Sequence, residues 1–107
     1  NNNKMEKLIA GKTINVNEEG YLTDFGQWDK TIAEEIAKEE GIEALTDRHW
    51  AIVNWIQEQE KNQVALTIRK LGKSGVTDIK EFYALFPGGP LKKATKIAGI
   101  KKPVGCI

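Results

Sequence analysis

Near the N-terminus, apolar and polar residues alternate in short runs separated by turn formers. Leu8-Ile9-Ala10 and Thr13-Ile14-Asn15-Val16 flank Gly11-Lys12, which predicts two short strands around a tight turn. Asn17-Glu18-Glu19-Gly20 predicts a second turn and leaves room for a third strand at Tyr21-Leu22. Such a meander is too small to be stable alone and must pack on another layer.

From Trp28 onward the apolar period changes from two to about 3.6, the period of a helix. Trp28, Ile32, Ala33, Ile36 and Ala37 share one helical face, and Glu34, Glu35, Glu39 and Glu40 share the other. Asp29, or Thr31 with Glu34 as a capping box, opens this helix, and Gly41 ends it. Thr46 caps a second helix with Asp47 in its first turn. Trp50, Val53, Ile56 and Ile52 give its apolar side, and it runs to about Lys61. Val64, Ile68 and Leu71 mark a third helix ending near Gly72, and Thr77 caps a fourth through Ile79, Phe82 and Tyr83. Leu85-Phe86-Pro87-Gly88-Gly89-Pro90 is a rigid turn that leaves Pro90 at a first helical position. Leu91, Ala94, Ile97 and Ala98 form a short fifth helix stopped by Gly99. Pro103 and Gly105 then oppose any regular element.

The pattern predicts an α+β, mainly α fold: a small N-terminal β-meander packed on an array of about five helices, with a flexible C-terminal arm. Residues 1–5 are expected to form a disordered lead or a non-native remnant, 6–99 the domain, and 100–107 the arm. A length of 107 residues allows one core. No apolar run approaches the roughly 18 residues of a membrane span, and no signal core follows Asn1. One cysteine excludes an internal disulfide and points to a cytoplasmic thiol.

Net charge is +1 but unevenly spread. Residues 1–81 carry 11 Lys/Arg and 15 Asp/Glu, whereas 82–107 carry five lysines and no acid. The basic end reads equally as a solvated surface or as a field that steers partners and supports a thiolate.

Cys106 is the one strong nucleophile candidate, because a cysteine beside the end of a Pro/Gly arm can hardly be core. It is the seventh residue after Gly99, a reach of roughly 23–25 Å when extended. An ordinary thiol, with a pKa of about 8.5, is only a few per cent ionised at neutral pH. Lys101 and Lys102 favour the thiolate, and a terminal carboxylate on Ile107 opposes it. The chemistry that follows is thiol exchange, giving a Cys106 persulfide.

The other candidates have plainer readings beside the functional one. His49 could pair with a cysteine, but in the first turn of a helix it reads better as local packing or capping. One His and one Cys make no zinc site, so no metal is expected. Arg69 and Lys73 lie four apart on one face, as a solvated stripe or as a cationic seat for a thiolate or persulfide. Gly88-Gly89-Pro90 could present amides to an anion, though a plain turn is the simpler reading. Trp28 and Trp50 read as core rather than as a stacking surface.

With these residues in view, the chain resembles the DsrC/TusE family from about Glu6 to the end. The resemblance rests on Glu19-Gly20-Tyr21-Leu22, Trp28, Leu45-Thr46-Asp47-Arg48-His49-Trp50, Ile68-Arg69-Lys70-Leu71-Gly72-Lys73, and Leu85-Phe86-Pro87-Gly88-Gly89-Pro90. It is most specific in Ala94-Thr95-Lys96-Ile97-Ala98-Gly99 and Lys102-Pro103-Val104-Gly105-Cys106-Ile107. The resemblance implies a sulfur carrier rather than a self-sufficient enzyme, with no cofactor beyond covalent persulfide sulfur on Cys106. In DsrC-type members a second cysteine lies eleven residues earlier. That position is Thr95 here, so the single-cysteine arrangement is similar to TusE-like members.

The resemblance further implies a TusBCD-like or DsrEFH-like donor and an MnmA-like tRNA thiolase or a sulfite reductase as acceptor. A family arginine and lysine near the arm fall at Arg69 and Lys73. The chain departs from the family at Asn62-Gln63-Val64-Ala65-Leu66, where many members have Gly-x-x-Pro-Ala, and at Lys101, where the arm usually has proline. Two other readings remain: a docking subunit of a sulfite-reductase or sulfur-oxidation system, and a helix-turn-helix-like DNA-binding module. The slight net charge and the acidic first helix argue against direct nucleic-acid binding.

Overall fold

The computed structural model describes residues 5–104. Strands β1 (Met5–Ile9) and β2 (Lys12–Val16) form an antiparallel hairpin in which Ile9 faces Lys12. Its two turn residues, Ala10 and Gly11, both have positive φ, the combination that matches the twist of the flanking strands. The register turns Ile9, Ile14 and Val16 inward and leaves Leu8 on the outer face, 71% exposed.

A one-turn 3-10 helix, Phe25–Gln27, leads into α1 (Lys30–Glu39), followed by α2 (Asp47–Lys61), α3 (Ile68–Lys73), α4 (Ile79–Leu85) and α5 (Pro90–Ile97). The short α5 is the hub. It packs against α1, α2 and α4, while α3 lies on α4 and α1 covers β1. Leu91, Ala94, Ile97 and Ala98 of the α5 region enter one core with Ile32 and Ile36 of α1, Ile52, Val53 and Ile56 of α2, and Phe82 and Phe86. This agrees with the mainly α architecture expected from the hydrophobic pattern.

Four local expectations are corrected. Met5, expected in the lead at 1–5, is the first residue of β1, and the rest of that expected lead lies outside the described residues. Leu22 meets Val16 through a single bridge, so among the described residues the hairpin gains no third strand. Trp28, expected on the face of the first helix, lies before α1; of the two expected openings Asp29 is the cap, its carboxylate accepting the Ile32 N–H at 2.8 Å. α4 is capped by Asp78, which accepts from the Glu81 N–H at 2.7 Å. Thr77, the cap expected from sequence, is buried and donates its hydroxyl to the Glu81 carboxylate instead.

Val64 also falls outside α3. The end of α2 is closed by Val64 N–H on Gln59 O and Gln63 N–H on Glu60 O, with Gln63 at φ +59. That is the Schellman arrangement, built on glutamine where glycine is usual. It lies in the stretch where the sequence departs from the family pattern.

Candidate functional site

The site is built from the C-terminal end of α5. Pro90 at the first helical position gives up no needed N–H, and its successors bury the apolar stripe. A helix end leaves its last carbonyls without intrahelical partners, yet here four in a row are satisfied. Ile100 N–H donates to Thr95 O at 3.2 Å and Gly99 N–H to Lys96 O at 3.1 Å, again a Schellman turn, with Gly99 at φ +77. Trp28 Nε1–H donates to Ile97 O at 2.8 Å, and Gln57 Nε2–H donates to Ala98 O at 2.9 Å. The Trp28 ring lies against Gly99 so closely that an added Cβ would come within 2.4 Å of it. Ile100 is buried beyond this turn.

The chain then leaves the core. Lys101 Nζ lies 3.9 Å from the Glu60 carboxylate, and Lys102 Nζ 3.0 Å from that of Glu19. Val104 is 91% exposed. A groove of about 470 Å³ runs between Lys101–Val104 and the loop residues Gln63–Leu66 that lead toward α3. A larger groove of about 890 Å³ has Leu22, Phe25, Gln57 and Ile100 among its walls. Lys101 and Glu60 line both, so this ion pair stands between the two.

Cys106, the expected nucleophile, lies outside the described residues, two positions beyond Val104. Arg69 and Lys73 occupy one exposed side of α3, as their spacing predicts. Among the described residues neither forms an ion pair. Lys102 is engaged by Glu19. Two more of the five basic-end lysines turn inward: Lys96 Nζ bonds Glu40 at 3.0 Å, and Lys93 Nζ donates to the Glu40 carbonyl at 2.8 Å, whereas Lys92 is exposed. Much of the tail's positive charge is thus met by the acidic half of the same chain.

Thr95 is fully buried, and its hydroxyl donates to Leu91 O at 2.8 Å. Tyr21 is buried beside it and donates to Lys92 O at 3.0 Å. Burial raises the Tyr21 phenol above its usual range despite the Thr95 hydrogen bond, and Glu19 and Glu40 add to the rise.

His49 is a structural residue. Its Nδ1 accepts the Thr46 N–H at 3.0 Å, completing a capping box, which places the proton on Nε2, 2.9 Å from Leu85 O. Both ring nitrogens are thereby occupied. Among the described residues no three His, Cys, Asp or Glu side chains converge as metal ligands. Among the described residues no helix is long and apolar enough to cross a membrane. Trp28 and Trp50 pack on the core rim, with Lys30 Nζ 5.4 Å from the Trp50 ring centre.

Sequence reasoning did not find Trp28 and Gln57 as caps of α5, nor Glu19 and Glu60 as partners of the arm lysines. These pairs are 41 to 83 residues apart, and no local pattern encodes them.

Comparison with known proteins points one way. The family model described as DsrC like protein matches residues 8–107. The gamma subunit of a dissimilatory-type sulfite reductase from Nitratidesulfovibrio vulgaris is 39% identical over 103 residues, covering 95% of this chain and 98% of that one. A sulfurtransferase TusE from Salmonella paratyphi A is 41% identical over 108 residues, covering 94% and 98%. The crystal structure of dissimilatory sulfite reductase I contains a chain that superposes with a TM-score of 0.83 at 36% identity, covering 96% of this chain and all of that one.

Proposed function

The chain belongs to the DsrC-like protein family, and on that premise we propose that it relays sulfur between proteins as a persulfide carried on Cys106. The observation that carries this reading is the cysteine content. Cys106 is the only cysteine, and the place where a DsrC-type member has its second is Thr95, whose hydroxyl is spent on the Leu91 carbonyl inside the core. Threonine forms no disulfide or trisulfide, so the chemistry must be one-thiol exchange.

In that exchange the Cys106 thiolate attacks the outer sulfur of a donor protein's persulfide. A new S–S bond forms, the donor's S–S bond breaks, and the donor thiolate leaves. An acceptor thiolate then attacks the outer sulfur and Cys106 departs as thiolate. Sulfane sulfur moves with no net oxidation, so the relay requires no resident cofactor. The body, expected at 6–99, takes in Met5 of β1 and the buried Ile100, and the carrying arm, expected at 100–107, begins at Lys101.

Arg69 and Lys73 are the cations proposed to favour the thiolate and persulfide anions, supported by their exposure and their lack of ion-pair partners among the described residues. Lys102 would join them only by exchanging Glu19 for the sulfur anion. The protein is a carrier, not an enzyme sufficient by itself, and acts in the cytoplasm. The single-cysteine arrangement favours a TusBCD-like donor and an MnmA-like acceptor, directing sulfur toward tRNA 2-thiouridine. A second reading comes from the 39% identity to a sulfite-reductase gamma subunit: a DsrEFH-like donor and a sulfite reductase as acceptor.

Mass spectrometry after incubation with a persulfide donor tests the first step. Wild type is expected to gain one sulfur mass and Cys106→Ser none, and equal loading of both refutes the proposal. Offering the loaded protein to a 2-thiouridylase and to a sulfite reductase separates the two directions by which one removes the added mass.

A further inference from the structure

Resting on this reading, we infer that Trp28 and Gln57 are positioning residues for sulfur transfer: they clamp the root of the arm, so that the tether to Cys106 starts at a fixed point and has a fixed length. The Schellman turn satisfies Thr95 O and Lys96 O from within the chain. The next two carbonyls, at Ile97 and Ala98, are where a helix end ordinarily frays into water. Here each receives an N–H from a side chain on a distant element. The two donors come from different elements, one just ahead of α1 and one from α2, so the last turn of α5 is tied to both.

The fit at Gly99 is equally specific. Its left-handed φ of +77 and its contact with the Trp28 ring both exclude a side chain. Neither donor is needed to cap its own element, and their bonds fall on Ile97 and Ala98, just ahead of the Gly99-Ile100 turn from which the arm departs.

The consequence is a tether of six residues, Lys101 to Cys106. Loss of the clamp lets the segment that it holds, Ile97 to Ile100, join the tether and lengthen it to about ten residues. Effective concentration of a tethered group falls roughly as the −3/2 power of tether length. Delivery to a docked acceptor is therefore expected to drop about twofold from length alone, and further from lost aim.

The test uses the full chain with Gln57→Met, which keeps the side chain's bulk and removes the donor, and with Trp28→Phe, which keeps an aromatic ring and removes the indole N–H. A nitroxide attached to Cys106, the single cysteine, reports the swept space through the relaxation of backbone amides. In both variants the affected region is expected to widen, and amide exchange at Lys96 to Ile100 to accelerate. Transfer from Cys106 to an acceptor protein is expected to fall at least about twofold in kcat/KM, while the reaction of Cys106 with a small disulfide reagent stays as in wild type. Gln57→Lys, which restores an N–H donor, should recover part of the loss.

An unchanged nitroxide footprint in Gln57→Met, or a footprint that widens without any change in transfer, overturns the inference. Gln57→Met keeps the test open should Trp28→Phe fail to fold. Failure of wild type to load sulfur at all would instead count against the relay itself, and the footprint is measured independently of loading.

Discussion

At the scale of single residues, the tightest electrostatic knot lies away from the arm. Arg48 donates from Nε to Glu81 Oε2 at 2.9 Å and from Nη2 to both Glu81 Oε1 and Val76 O, tying the start of α2 to α4. The Arg48 guanidinium, with help from the Thr77 hydroxyl, lowers the Glu81 carboxyl to about 2. A depressed carboxyl contributes stability while it is ionised in both states. That contribution is complete above the ordinary value of 4.5 and is lost as pH falls from there toward 2. Glu81→Gln is therefore expected to be less stable than wild type at pH 6 and to lose that difference by pH 2. Urea unfolding across this range checks it, and a constant offset would contradict the assignment. Thr77 shows why a cap is hard to assign from sequence: Thr77 and Asp78 are both good caps, and burial of one hydroxyl against Glu81 decides between them.

At the scale of elements, helix ends carry much of the design. α1, α2 and α5 close with the same Schellman pattern, using Gly41, Gln63 and Gly99 at the left-handed position. Gln63 has a Cβ where the other two have none, and the left-handed conformation costs an ordinary residue roughly 1–2 kcal/mol. Gln63→Gly should raise stability by about 0.5–1 kcal/mol, since the glycine entropy cost offsets part of the relief. Thermal or urea unfolding will show it, and no gain would mean that Gln63 makes a compensating contact. The glycine stops of α1 and α5 were readable from sequence. The stop of α2 was not, because glutamine does not announce a left-handed turn, and so the third helix was drawn to include Val64.

At the scale of the whole molecule, a chain with an acidic front and a basic end folds so that the two meet. Lys96, Lys101 and Lys102 reach Glu40, Glu60 and Glu19. The pairs on the arm are largely exposed, and such pairs contribute about 0–1 kcal/mol each and weaken with salt. Glu19→Gln with Glu60→Gln should therefore leave global stability within about 1 kcal/mol of wild type. The same double variant should raise the backbone mobility of Lys101–Val104, as raising salt does for wild type. Unfolding curves and NMR relaxation on the pair of proteins decide this, and mobility insensitive to both changes would show that packing, not charge, orients Lys101–Val104.

The amino-acid sequence alone determined what depends on neighbours in the chain. The hairpin follows from alternation, the five helices from the 3.6 period, most of the caps from short polar side chains and glycines, and the candidate nucleophile from there being one cysteine. Tertiary structure decided what depends on residues far apart: that a helix of eight residues is the hub, that Thr95 is core, and that Trp28 and Gln57 hold the carbonyls where the arm departs. The physical reason is that periodicity and capping act over about one turn of chain. A buried carbonyl or a surface lysine takes whichever donor or carboxylate the packing of the core brings within 3 or 4 Å.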